Sequence, residues 1–304
     1  MEQDKAKEII DRNGRRHRFP PALNLDYVLK EGRVQTRSLE AHIVDHCNLS
    51  CAECCSLSPL LPKWFASPEE LQRDLAIASS FLAPTVFKLV GGEPLLHPQI
   101  ATMAKIAAES AIAPRISLTT NGLMLGQMED DLWRYLDAIT ISLYPKPELP
   151  ESLIAQAEEQ AAHFSVELNW KDQSQFVVMN RNSRRADESE TSAIFNRCWL
   201  RERCHMIRNG TFYTCTRSPH MQTLGGSDGS FSEDGYSLTS PEASADGMLT
   251  YLRREHALEA CAYCHGGDAK MAPHRLLPRS ELRQLKGRSA LRRDGIARPV
   301  VRKA

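Results

Sequence analysis

The chain has 304 residues, 42% of them hydrophobic and 25% charged, with 38 basic residues balancing 38 acidic ones. That composition excludes disorder along the whole length, and the zero formal charge excludes a global pull toward nucleic acid or an anionic membrane. No apolar run approaches the roughly 18 residues of a membrane span, and the opening residues lack an apolar signal core, so a cytoplasmic protein with no membrane partner is expected.

In chain order, residues 1–37 read as a polar, basic N-terminal extension, with Arg15, Arg16, His17 and Arg18 in one run. Leu39 to Val44 predicts a strand ending just before Cys47. Ser67-Pro68-Glu69-Glu70 predicts a helix start: Ser67 caps, Pro68 suits the first turn and Glu70 closes a capping box. That helix should run to about Leu82, where Ala83-Pro84 stops it. Thr85–Val90 predicts a second strand, ended by Gly91-Gly92, and Pro98–Ala111 a helix. A third strand, Arg115–Thr120, ends at Asn121-Gly122. Met128–Tyr135 predicts a short helix, Ala138–Leu143 a fourth strand, Pro150–His163 a helix and Ser165–Trp170 a fifth strand. Strands alternating with helices imply a parallel α/β sheet or barrel, whose functional groups collect where strands end. Cys47, Gly91, Asn121 and Tyr144 all fall at such ends. From about residue 180 the alternation is lost. Asn209-Gly210 predicts a tight hairpin turn, Gly225–Gly247 a loop, and the arginine-rich stretch from Arg275 a solvated or partly disordered basic tail.

Nine cysteines form two groups, separated by a cysteine-free stretch from Ser56 to Arg197. The odd count, without an export signal, favours reduced thiols for metal or catalysis over a disulfide framework. Cys47, Cys51 and Cys54 are spaced C-x3-C-x2-C in a loop after a strand. Three thiolates so placed can hold three irons of a cubane and leave the fourth iron open to a small molecule. A structural zinc loop, with Cys55 or His46 as fourth ligand, is the other reading.

This C-x3-C-x2-C, followed by Gly91-Gly92-Glu93-Pro94 after the second strand and Thr119-Thr120-Asn121-Gly122 after the third, resembles the radical S-adenosylmethionine superfamily. The likeness covers roughly residues 38–180. It implies a partial (β/α)6 TIM-like barrel and a 4Fe-4S cluster that chelates S-adenosylmethionine and cleaves it to a 5′-deoxyadenosyl radical. It further implies Cys47, Cys51 and Cys54 as iron ligands. Gly91, Gly92 and Glu93 would offer acceptors to the methionyl ammonium, and Asn121 and Ser142 would face its carboxylate or ribose. Glu53 departs from the pattern, since the residue before the third cysteine is usually aromatic or apolar in that superfamily. Such a cluster needs an electron donor such as flavodoxin or ferredoxin.

The second group comprises Cys198, Cys204, Cys215, Cys261 and Cys264. Four of the five thiols can close a cubane or a zinc site, and spacing does not decide between them. The pattern resembles the SPASM or shorter twitch extension of radical S-adenosylmethionine enzymes, which holds an auxiliary 4Fe-4S cluster. Eleven residues between Cys198 and Gly210 and four between Gly210 and Cys215 fit that pattern, whereas the five after Cys204 do not. The resemblance therefore implies Cys198, Cys215, Cys261 and Cys264 as ligands, with Cys204 as the rival to Cys198. The expected organisation is an extension at 1–37, a barrel core at 38–190, an auxiliary-cluster domain at 191–274 and a basic tail at 275–304.

The expected activity is hydrogen abstraction from a small molecule such as a sugar or aminocyclitol, ending in dehydrogenation or epimerisation. For epimerisation, Cys55 or Cys204 is the catalytic thiol that returns a hydrogen atom. A peptide or protein maturase is the alternative, although fewer than forty residues precede the first strand, too few for an added peptide-binding domain. A non-enzymatic zinc or iron protein is the other. His97, Tyr144, Trp170, Lys171 and Asp172 lie near strand ends as candidate pocket residues.

Overall fold

The computed structural model describes residues 7–10, 16–19, 27–225 and 231–293. Strands β1 (Lys7–Ile10) and β2 (Arg16–Phe19) pair antiparallel, so part of the expected N-terminal extension is a hairpin. β3 (Leu29–Lys30) turns into β4 (Arg33–Val44), which is longer than the expected Leu39–Val44. Then come α1 (Pro68–Ala78), β5 (Leu82–Gly91), α2 (Ile100–Glu109), β6 (Ile116–Thr120), α3 (Asp130–Trp133), β7 (Ala138–Leu143), α4 (Glu151–Phe164) and β8 (Glu167–Asp172). β9 (Gln175–Val177), α5 (Glu188–Arg197) and α6 (Leu200–Arg203) lead to the hairpin of β10 (Met206–Arg208) and β11 (Thr211–Tyr213). α7 (Gln222–Gly225), β12 (Gly235–Ser237), α8 (Ala245–Leu252), β13 (Met271–Pro273) and α9 (Arg279–Arg293) follow.

The expected capping box is formed: Ser67 Oγ accepts from Glu70 N–H, and the Glu70 carboxylate accepts from Ser67 N–H. The helix ends at Ala78, earlier than expected, because Leu82 already opens β5 opposite Val34. Pro84 sits where β5 pairs with β4 alone, since β6 joins only from Phe87 onward, so the strand is an edge there on its β6 side. Asn209 and Gly210 take positive φ of 49° and 69°, the two-residue turn that fits hairpin twist. Two expectations are corrected. Within Gly225–Gly247, Gly235–Ser237 is a strand on β11, and a helix starts at Ala245 with Ser244 as its cap; residues 226–230 lie outside the described residues. The tail is helical as far as Arg293, and its remainder lies outside the described residues.

The sheet runs β12-β11-β10-β4-β5-β6-β7-β8, with β3 on β4. β10 and β4 through β8 are parallel. The architecture is α/β, a parallel sheet curved as a partial barrel with helices on its outer face. β10 comes from the expected second region yet pairs with β4, so the two regions share one sheet.

Alternation along β4 separates two faces. Leu39, Ala41 and Ile43 enter the apolar core with Phe87, Leu89, Leu118, Ile139 and Ile141, and helical residues such as Leu75 and Met103 cover them. Ser38, Glu40 and His42 point to the other face. Register places Glu40 beside Lys88 and Met206, Lys88 beside Ser117, Thr119 beside Thr140, and Ser142 beside Lys171. The inner face is therefore polar, lined by charged and hydroxyl groups. Among the described residues, no helix is long and apolar enough to cross a membrane.

Candidate active site

The first cysteine loop leaves the end of β4. Cys51 is buried and Cys47 and Cys54 are partly exposed. Cys47 Sγ accepts from Leu49 N–H at 3.3 Å and Asn121 Nδ2 at 3.7 Å, while Asn121 Nδ2 also donates to Asn48 Oδ1 at 2.7 Å. Burial pushes the Cys47 and Cys51 thiols up to about 12, and the charges of neighbouring thiols add to the shift. A cation beside such thiols would favour their ionisation, as the irons of a cluster do.

Gly91-Gly92-Glu93-Pro94 packs directly on this loop. Gly92 N–H donates to Val44 O at 2.7 Å and Glu93 N–H to His46 O at 3.1 Å. A Cβ on Gly92 would sit 2.1 Å from His46 O, so the close approach that requires glycine is to the protein's own loop, not only to a ligand. The Glu93 carboxylate is turned into the protein. The residue is 0% exposed, and its carboxylate accepts from Leu95 N–H (3.0 Å), Thr120 Oγ1 (2.7 Å) and Asn121 N–H (2.8 Å). Its side chain ties the second strand end to the third.

A segment from the C-terminal region covers the loop. β13 pairs with β9, Ala52 N–H donates to Arg275 O at 2.9 Å and Leu277 N–H to Ser50 O at 2.8 Å. His274 Nε2 lies 3.3 Å from Cys51 Sγ, and its ring meets Tyr144 and Phe176 at 4.9 and 5.4 Å. No local pattern of residues signals this cover.

Of the other expected residues, Ser142 and Lys171 are on the inner face, and Tyr144 is at its edge beside the cysteine loop. His97 is buried and bonded to Ala66 O at 2.8 Å, Trp170 packs into the outer core, and Asp172 caps a turn at Ser174. Those three therefore stand apart from the inner face.

In the second group, Cys198, Cys215, Cys261 and Cys264 line one cavity. Ile194, Phe195, Leu200 and Leu258 supply its apolar wall, and Arg201 and Arg217 its cations. Cys204 does not line it. Its thiol is near Glu40, Lys88 and Cys55, while Cys55 in turn neighbours Glu40, Lys171 and Arg217. Cys55 is solvent-accessible, and the protein packed round its thiol pushes it up to about 11.

Among the described residues, no three His, Cys, Asp or Glu side chains converge closely enough to hold a single metal ion. Cubane thiolates each take a different iron and stand wider apart than ligands around one zinc. Several inner-face groups were missed in the sequence. Glu40 lies 3.8 Å from both Lys88 and His42, and the His42 and His220 rings stack with nitrogens 3.3 Å apart. The signal was present as Ser38-x-Glu40-x-His42, polar residues alternating with Leu39, Ala41 and Ile43.

No family model matches the chain. Over 116 residues it is 38% identical to the GTP 3',8-cyclase of Mycobacterium marinum, covering 37% of this chain and 32% of that protein. It is 35% identical over 118 residues to the GTP 3',8-cyclase of Streptomyces coelicolor, covering 37% and 34%. Over that stretch the chain is similar to a radical S-adenosylmethionine core. The matched stretch spans about a third of these relatives' length. S-adenosylmethionine and a 4Fe-4S cluster are the cofactors of a radical S-adenosylmethionine core. The solved structure of BtrN in complex with AdoMet and 2-DOIA aligns over 77% of this chain and 94% of that chain, at 13% identity and a TM-score of 0.49.

Proposed function

We propose that this protein abstracts a hydrogen atom from a polar, hydroxyl-bearing small molecule held against the inner face of the sheet, and that the outcome is dehydrogenation. The observation that carries the reading is the polar inner face, whose Glu40 interacts with a thiol of each cysteine group, Cys55 and Cys204. Cys47, Cys51 and Cys54 would ligate the cluster that, when reduced, supplies the electron for cofactor cleavage. Asn121 steadies their loop, and Gly91 and Gly92 offer backbone to the cofactor. Cys198, Cys215, Cys261 and Cys264 would hold an auxiliary 4Fe-4S cluster in a twitch-like arrangement. Such a centre supplies a one-electron sink, which favours oxidation of a carbon radical over its quenching by a thiol. Glu40, on the same face, would take the hydroxyl proton that oxidation releases.

A sugar or aminocyclitol fits this face through hydroxyl contacts to Ser117, Thr119, Thr140 and Ser142. The relatives' name raises a purine nucleotide as a second substrate class. A triphosphate asks for several converging cations. The inner face offers Lys88 and Lys171, and Glu40 already holds Lys88 at 3.8 Å. A peptide substrate has no support beyond the general chemistry.

The test is anaerobic reconstitution with iron and sulfide counting and a 5′-deoxyadenosine assay. Wild type should hold two clusters and cleave S-adenosylmethionine, while Cys47/Cys51/Cys54→Ala together should keep one cluster and lose cleavage. Zinc alone in the wild type would overturn the reading. Product formed in deuterated water separates the outcomes: deuterium on carbon that vanishes in Cys55→Ala or Cys204→Ala would establish inversion in place of dehydrogenation.

A further inference from the structure

Arg217 follows Cys215 by two residues and is only 2% exposed. Nη1 donates to Cys55 O at 2.8 Å, and Nη2 donates to Asn180 Oδ1 at 2.8 Å and lies 3.9 Å from Met221 Sδ. Nε is buried and has no acceptor. Among the described residues, no carboxylate stands within ion-pair distance of the guanidinium; Glu53 reaches it only through Asn180, at 3.5 Å from Asn180 Nδ2.

A buried charge without a counter-ion is costly enough that proteins pair it or discard it. Arg217 lines the cavity of the four thiols, and its charge acts on Cys264, Cys215, Cys55 and Cys54 as well as on the Glu53 carboxyl. Arg201 lines the same cavity, and its guanidinium bonds only carbonyl and amide oxygens there. Four thiolates around an oxidised cubane leave a net double negative charge. Two guanidiniums in the wall offset it.

Resting on the auxiliary centre proposed above, we infer that Arg217 is its counter-cation: the free Nε–H donates to that centre, and the guanidinium charge raises its reduction potential. Reduction makes the centre more anionic, so an adjacent fixed cation stabilises the reduced form. The same side chain ties the centre to the first cysteine loop through Cys55 O. It is a positioning residue, acting on the electron acceptor and not on the substrate.

The test is a redox titration of the reconstituted two-cluster protein, followed by electron paramagnetic resonance. The auxiliary signal is assigned as the one that survives in Cys47/Cys51/Cys54→Ala. Arg217→Gln keeps a donor but removes the charge, and should lower the auxiliary potential by at least tenfold in the one-electron equilibrium, about 59 mV. Arg217→Lys restores the charge without the Nε donor and should fall by less. An unchanged potential in Arg217→Gln with both clusters intact overturns the assignment. Should that variant not fold, wild type is compared with Arg217→Lys: a partial fall supports the assignment and none overturns it. Wild type holding a single cluster fails at the iron count, and that result overturns the functional reading itself together with the role of Arg217.

Discussion

Glu93 has both carboxylate oxygens occupied by donors from two strand ends, although its place in the Gly-Gly-Glu-Pro turn predicts an outward role. Replacing it with Gln would aim an amide N–H₂ at Leu95 N–H, Thr120 Oγ1 or Asn121 N–H. Leaving buried donors unpaired costs about 1–3 kcal/mol. Glu93→Gln should therefore lower stability by that amount in chemical denaturation and loosen the first cluster, and equal stability would return Glu93 to the ligand site. Burial also governs the acid response. Glu93 is raised to about 6, so its folded form binds a proton more readily than its unfolded form, and its contribution falls as pH rises from about 4.5 to 6. His205 is lowered by burial to about 4, so the unfolded chain takes the proton first and stability is lost as pH falls from about 6.5 to 4. The shifts correspond to roughly 2 and roughly 3 kcal/mol, so His205 prevails. The melting temperature should fall on acidification below about pH 6.5, and less steeply in His205→Gln; parallel slopes in both proteins would remove His205 from the account.

Elements show where local sequence suffices and where it does not. The capping box of α1, the Asn209-Gly210 hairpin and the alternation of strands and helices through β8 are local patterns and were legible. The docking of β10 beside β4 joins residues far apart in sequence, with Asp45 taking Arg208 at 2.7 and 2.9 Å and Trp64 stacking on that guanidinium, and no local pattern carries it. The choice between Cys198 and Cys204 stayed open because both flank the four-residue α6; the fold turns Cys198 into the four-thiol cavity and Cys204 toward Glu40. The Gly91-Gly92 turn was legible as a motif, but its reason was not. An added Cβ at Gly92 meets the backbone of His46 and Asp45, at 2.1 and 2.8 Å, and backbone cannot move aside like a side chain. Gly92→Ala should displace the cysteine loop and cut the iron of the first cluster while the auxiliary signal persists. Iron content equal to wild type would show that the loop relaxes without loss.

At the scale of the whole molecule, the two thiol groups are joined from both directions. Arg217 reaches from the second group to the backbone of Cys55, and the segment after Cys264 returns across the first loop. That return includes the backbone bonds at Ala52 and Leu277, the Cys51–Leu276 bridge and His274 beside Cys51. All nine cysteines precede it in the chain, so removing residues 271–304 deletes no thiol. It deletes the cover of Cys51 and half of the β9–β13 ribbon. A protein interior protects a cluster chiefly by excluding solvent and oxidant from its sulfurs. The truncated protein should then keep the auxiliary centre, lose the first cluster's absorbance severalfold faster in air, and form less 5′-deoxyadenosine at equal iron loading. His274→Ala alone should give a smaller change in the same direction, because the backbone strap remains. Air stability equal to wild type in the truncated protein would show that the loop and Glu93 protect the first cluster unaided, and that the C-terminal segment only staples the fold.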